Sequence, residues 1–518
     1  MPTRFSFAQI AVGATLACTS AVFAPNASAT DWLQFGFDAS HSGFNPAEVN
    51  IAGRLNFLQL NFAAPLPEKS EGAPAYAAGI AFAGGTRDMV FVTTIGGHIV
   101  AIDAQSGAQI WIQQPATGPS SATFSSPVID PNRLYVYSSG LDGKVHKYNI
   151  ADGGEVTDSN WPEIFTLKPE IEKGSSALTF ATAADGNTYL YATTSNSNDD
   201  TGDYQGHVTA INLATGSQSV FNTQCSYGNA HLATAPATPN CSDTQSGIWG
   251  RPGVTYDPAT DRLFTSTGNG PYTGNAGGFD WGESVVALTP SLFDAGGNPL
   301  QLPLDSYTPP EYATLNVGDT DLGQTTLEIV PAPAGSKIAH LGVQLGKDGI
   351  VRLLNLDDMS GQGGPGHTGG DLQQISGLDF IPFFSSQPAV WVDPASGTPW
   401  VFTVNNGAAY GFFLIADAQG NPGLVQGWSR TTYGGSSAVV ADGLVFYAEQ
   451  SSNLIAVDAR SGTQMWSAPT SWAHWASPIV VDGKIFLVDA SNTLQAYAVP
   501  RRADIAGATQ LLAVPRKP

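Results

Sequence analysis

The chain has 518 residues, a formal net charge of −22, and charged side chains at only 12% of positions. That acidity argues against nucleic acid and anionic membranes as partners, and no later apolar run approaches the roughly 20 residues of a membrane span. Abundant Gly (58) and Pro (35), without capped stretches of helically spaced apolar residues, predict many short strands joined by tight turns.

In chain order, residues 1–29 read as an export signal. Arg4 supplies the positive start, Phe7 to Ala17 the apolar stretch, and Ala27-Ser28-Ala29 a small-x-small cleavage site. Cleavage after Ala29 predicts a periplasmic or secreted product. The segment from Trp32 to Phe62 has strand-like parts but no repeat of its own, and is expected to help close a ring against the C-terminal repeat.

Next comes a phrase that the chain repeats. "HIVAIDAQSGAQIW" (His98 to Trp111) returns as "LIAVDARSGTQMW" (Leu454 to Trp466), each an alternating strand ending in Asp, with Gly four and Trp eight positions later. Weaker copies keep the Gly offset at Asn149/Gly153 and Asn212/Gly216. A recurring strand–turn–strand unit is an array, and four-stranded units make a propeller.

Strand and turn signals divide the chain into eight units: Met89 to Gln113, Ser126 to Ile150, Ala177 to Phe221, one opening at Gly247, one carried by Ile338 to Asp357, one from Ser386, Ser436 to Asp458, and Ala476 to Val499. Small or polar residues precede a strand at Ser126-Pro127, Arg251-Pro252, Gln387-Pro388 and Ser477-Pro478. The expected fold is all-β, a single eight-bladed β-propeller of four-stranded antiparallel blades over residues 30–500, with a tail at 501–518. The docking Trp is expected to reach the next blade. Cys225 and Cys241 bracket a Gly/Ala/Pro-rich excursion and, in an oxidising compartment, are expected to form a disulfide. No CxxCH occurs, so no covalently attached haem is expected. The Gly-rich run Ser360 to Gln373 reads as a blade connection with no phosphate role.

At these residues the sequence resembles the quinoprotein alcohol dehydrogenases, eight-bladed propellers that hold pyrroloquinoline quinone on their axis with Ca2+ or a lanthanide. The Ala-x-Asp-x-x-x-Gly-x-x-x-Trp repeat is that superfamily's docking motif. "IWG…YDPATDRLFTSTGN" resembles the stretch that supplies the tryptophan floor under the quinone, which implies Trp249 as stacking ring and Asn269 as metal ligand. "GDTDLGQT" resembles the Asp-x-Asp element, implying Asp319 as catalytic base and metal ligand, and Asp321 as the further carboxylate for the metal. The two Asp are expected to point the same way from alternate positions of an extended segment. "GKDG" resembles the site of a cation over the cofactor, implying Lys347, and "SWAHWASP" offers Trp475, with His474, to the pocket mouth.

The resemblance implies oxidation of an alcohol or polyol, with electrons passed to a soluble cytochrome-type acceptor. Two departures stand beside it: the adjacent Cys-Cys pair is absent, and the third-blade glutamate has no counterpart, Asp199, Asp200 and Asp203 flanking Thr201 instead. A scaffold of the bacterial outer-membrane assembly machinery is built from similar repeats, so a non-catalytic propeller binding a protein or polymer is the alternative.

Overall fold

The computed structural model describes residues 30–114, 117–196, 200–228, 243–378 and 386–500. The motif explains itself first. Asp103 Oδ1 accepts from the Gln105 and Ser106 N–H groups at 3.0 and 2.8 Å and from Ser106 Oγ at 2.8 Å. Asp458 receives the same set from Arg460 and Ser461. Each Asp thereby pins a turn that Gly107 or Gly462 completes at φ 73° or 67°, a region that costs other residues strain. Burial pushes the Asp103 carboxyl up, but the hydrogen bonds from Ser106 and Gln105 outweigh it and hold the group below its ordinary pKa.

The same glycine serves the neighbouring blade. Trp111 Nε1 donates to Ile150 O at 3.1 Å, and a Cβ on Gly153 would lie 2.7 Å from the Trp111 ring. Trp428 repeats this on Ala459 O and Gly462. The ring of one blade therefore lies on the bare glycine of the next, where no side chain fits between them. Trp466 has no such glycine ahead of it and meets Tyr497 edge-on at 5.6 Å.

Repetition of this unit yields eight antiparallel blades of four strands in chain order, the seventh extended by the short parallel strand Phe44–Asn45. Blades 1 to 7 span residues 75–113, 128–164, 179–222, 255–307, 328–375, 389–433 and 439–469. Blade 8 takes its three inner strands from 479–498 and its outermost from the N-terminal strand Gln59–Pro65, antiparallel to Thr493–Ala498. Phe62 on that strand packs where a Gly107 Cβ would be, so a phenylalanine closes the ring in the tryptophan's place. Blade faces bury apolar side chains against one another; between blades 6 and 7, Phe402, Val440, Tyr447 and Val457 form one cluster, all inaccessible to solvent.

Two expectations are corrected here. Blade 1 begins at Ala75, because Ala75–Phe82 is an inner strand that the unit from Met89 omits. Ring closure belongs to Gln59–Pro65 alone. The stretch from Trp32 to Asn45 instead threads the channel and bonds inner strands of blades 1, 2, 3, 4, 6, 7 and 8 in turn. Trp32 pairs with Tyr76; Leu33, Ala39, Ser42 and Gly43 carbonyls accept from Ile129, Tyr256, Val390 and Val440; Gln34 reaches Phe180 and Asn45 reaches Val480. These inner-strand backbones would otherwise be buried unpaired, which is why the segment fits there. It fills the channel at the level of the inner strands and leaves a cavity at the end where those strands begin. The Gly-rich run Ser360 to Gln373 does connect strands of blade 5, and the outer strand Gln373–Ile375 follows it directly.

Candidate functional site

The loops that lead into the inner strands of blades 2, 3, 4, 5 and 8 converge on that end of the channel, with the turns that follow the second strands of blades 3, 4 and 5. They enclose a cavity of about 380 Å³ lined by Phe124, Lys173, Ser175, Ser195, Asn196, Asp200, Tyr204, Gly247, Trp249, Arg251, Gly268, Asn269, Asp319, Asp321, Lys347 and Trp475. All six residues singled out for cofactor, metal or catalysis line this one cavity. Cys225 lies elsewhere, its sulfur near the Asp243 and Asp280 carboxylates, and Cys241 is outside the described residues.

Lys347 organises the acidic side. Its Nζ is 2.7 Å from Asp319 Oδ1 and 3.0 Å from Asp321 Oδ2, and lies 4.9 Å from the centroid of the Trp249 ring. Trp249 Nε1 donates to Asp321 Oδ2 at 3.0 Å, and Asn269 Nδ2 to Asp319 Oδ1 at 3.5 Å. Asp319 does not sit on an extended segment as expected. It ends the helix Tyr312–Gly318 in the left-handed region at φ 50°, and this turn, rather than strand alternation, brings it beside Asp321. The Asp319 side chain is 55% exposed whereas that of Asp321 is 3% exposed, so only the former meets solvent freely.

Electrostatics follow burial. Burial raises the Asp321 carboxyl above its ordinary pKa, partly offset by the Lys347 ammonium. Behind it Glu283, inaccessible to solvent, is pushed well up by burial and then by the Asp321 charge, and its Oε2 accepts from the Leu322 N–H at 2.7 Å. Burial works against the charge of Lys347, but the carboxylates Asp321 and Asp319 outweigh it and hold the ammonium above its ordinary pKa.

The opposite side is cationic and aromatic. Trp475 meets the Trp249 ring edge-on at 6.0 Å and 84°, and His474 packs behind it at 4.2 Å. Arg251, 2% exposed, donates to the carbonyls of Ser175, Glu71 and Phe124 at 2.8–3.0 Å, tying together the lead-in loops of blades 1 to 3. Burial lowers its pKa to about 10. Lys173 Nζ lies 4.0 Å over the Phe124 ring.

Arg251 was visible in the sequence only as a lead-in residue before Pro252. Its signal is that the matching positions before Pro127, Pro388 and Pro478 carry Ser or Gln, and blade 4 alone among these places a charge there. Asp200, of the three acidic residues considered, is the one on the cavity, and it accepts from Tyr204 Oη at 2.5 Å. Asp199 lies outside the described residues. Glu283 and Lys173 carried no local signal.

The architecture and this repeat-built axial cavity define an eight-bladed propeller of the quinoprotein type. The chain belongs to the PQQ_2 repeat family, described as outer membrane protein assembly factor BamB, whose model matches residues 62–229 and 392–502. No curated protein matches the chain. Among solved structures it is similar to a quinohemoprotein alcohol dehydrogenase of Pseudomonas putida HK5, at 14% identity and a TM-score of 0.60 over 90% of this chain and 80% of that one. A europium-containing methanol dehydrogenase gives 14% and 0.60 over 88% and 89%. The quinohemoprotein alcohol dehydrogenase of Comamonas testosteroni gives 15% and 0.58 over 91% and 81%. At such identities these likenesses establish the fold.

Two features test the fit of the implied groups. Asp321 Oδ1 is buried without a hydrogen-bond partner, and with the Asp319 carboxylate it makes a set of hard oxygens suited to Ca2+ or a lanthanide, beside an Asn269 amide that here turns its Nδ2 to Asp319. The wall also has no room for side chains where a flat ligand would approach Trp249: a Cβ on Gly268 would lie 3.0 Å from Trp249 Nε1 and 3.1 Å from Asp321 Oδ2. The residues present fit both groups.

Proposed function

We propose that this protein is an exported quinone-dependent dehydrogenase that oxidises an alcohol or polyol and hands electrons to a separate cytochrome-type acceptor. The observation that carries the reading is the meeting of Trp249, Asn269, Asp319, Asp321, Lys347 and Trp475, from three blades, on one axial cavity. Among the described residues no helix is long and apolar enough to cross a membrane, which accords with the export signal read at residues 1–29. The Cys225–Cys241 bridge belongs to the same reading.

In this scheme Asn269, Asp319 and Asp321 would hold the cation, Trp249 and Trp475 would hold the quinone ring, and Arg251 and Lys173 would supply positive charge for an anionic ligand. When bound, the quinone would supply the hydride acceptor and the cation would supply Lewis acidity. The protein's own task is proton and charge placement. Asp319, the exposed carboxylate of the pair, takes the alcohol proton. Lys347 Nζ lies 2.7 Å from Asp319 Oδ1, and the Trp249–Asp321 hydrogen bond fixes ring and carboxylate in one frame. Glu283, buried behind Asp321 and pushed well up by burial, accepts from the Leu322 N–H and so supports the acidic segment from behind.

The test is reconstitution. Purified protein with pyrroloquinoline quinone and Ca2+ or a lanthanide should retain quinone absorbance after desalting and reduce a dye with some member of an alcohol panel. The family match favours one other reading, a propeller that binds a protein or polymer without a cofactor. Protein that retains no quinone and reduces no dye belongs to that class.

A further inference from the structure

The oxygens that a hard cation needs are already held by an ammonium. Lys347 Nζ contacts both Asp319 Oδ1, at 2.7 Å, and Asp321 Oδ2, at 3.0 Å. The backbone of the lysine is held here, its N–H donating to Asp321 O at 2.9 Å, and its side chain is 11% exposed. Gly346 lies so close that a Cβ there would stand 3.1 Å from the same carbonyl. The loop that carries the ammonium is thus registered against the acidic segment by backbone as well as by charge.

We propose that Lys347 is the resident counter-ion of this cavity, and that a metal cation binds only by exchange with it. Two cations cannot share Asp319 Oδ1 and Asp321 Oδ2 at bonding distance without strong mutual repulsion. Asp321 Oδ1, buried, without a hydrogen-bond partner and not engaged by the lysine, gives the incoming ion a foothold. As the ion takes the remaining oxygens, the ammonium withdraws toward the face of the Trp249 ring, from whose centroid it is already 4.9 Å. Cation occupancy and the position of Lys347 are then one variable. The inference rests on the cation part of the function proposed above and needs neither quinone nor turnover.

The experiment titrates terbium(III) into the whole purified protein and reads tryptophan-sensitised luminescence, for which Trp249, 3.0 Å from Asp321, is the local donor. Lys347→Met should bind terbium at least tenfold more tightly than the native chain, and Lys347→Arg, which keeps the charge, should stay near native. Lys347→Gln serves the same purpose where the Met variant does not fold. Asp321→Asn should remove the saturable signal from every background. Equal affinity of the native and uncharged variants overturns exchange while leaving the cation site standing. Absence of a saturable signal from all of them overturns exchange and the cation site together.

Discussion

Trp428 of blade 6 lies flat on Gly462 of blade 7, so close that a Cβ on the glycine would stand 2.7 Å from the indole ring, while the indole N–H donates to Ala459 O at 2.9 Å. One residue without a side chain therefore meets two demands, the left-handed turn at φ 67° and the seat for the neighbour's ring. Gly462→Ala should cost about 2–4 kcal/mol, since backbone strain and overpacking add. Gly443→Ala, at φ 73° but facing open space, should cost less. Urea unfolding of the two variants checks this; equal losses would mean that strain alone decides.

Closure rests on Phe62 in the same way. Its ring occupies the seat over Gly107 and lies 6.4 Å from Phe486. Phe62→Ala should cost about 1–3 kcal/mol and loosen the strand Gln59–Pro65. The edge of Thr493–Ala498 then becomes available to a second chain, so oligomers should appear in size-exclusion chromatography. Phe57→Ala, at a residue 63% exposed, should change stability by no more than about 0.5 kcal/mol.

The histidines predict an acid limit. Burial lowers His474 to a pKa of about 4, whereas an unfolded chain takes up that proton near pH 6.5. The unfolded state binds more protons between these values, so His474 stabilises the fold fully above pH 6.5 and loses that contribution as pH falls toward about 4, by up to about 3 kcal/mol. His41, also lowered by burial, acts in the same direction. His146 acts in the opposite one. Its Asp142 and Glu155 partners outweigh burial and raise it, so its contribution is present at acid pH and fades as pH rises through its folded pKa. His474→Gln should flatten part of the loss of melting temperature between pH 6.5 and 4; identical slopes for variant and native protein would count against this assignment.

If the cavity works as proposed, Asp319→Asn should lower kcat by about 10²–10⁴-fold while leaving quinone retention near native. Trp249→Ala should do the reverse first, releasing quinone on desalting. Stopped-flow dye reduction together with absorbance after gel filtration separates the two. Loss of retention in Asp319→Asn would move that residue from proton transfer to binding.

Much of this was legible in the chain because each blade repeats a local rule. Asp103, Gly107 and Trp111 act within a few residues of one another or on the adjacent blade, so spacing alone exposes them. Trp249, Asn269 and Lys347 were reached only through the resemblance of their stretches to a known family, since no repeat marks them. Arg251 escaped because its role is to bond three carbonyls from other loops, which no local pattern records. The Asp319–Asp321 geometry was misjudged for a related reason: a short helix between blades 4 and 5 sets it, and that helix has neither a long apolar stripe nor a capping side chain.

By itself the amino-acid order settled the toroid, because alternating strands, pinned turns and the tryptophan–glycine pairing are short-range matters that recur whenever the letters do. Only the folded molecule decided that the stretch from Trp32 to Asn45 threads the channel, that Phe62 stands in for a tryptophan at the seam, and that one ammonium bridges two carboxylates. Each of these joins parts of the chain that sit far apart along it, and such contacts depend on how the ring brings distant loops to a common axis.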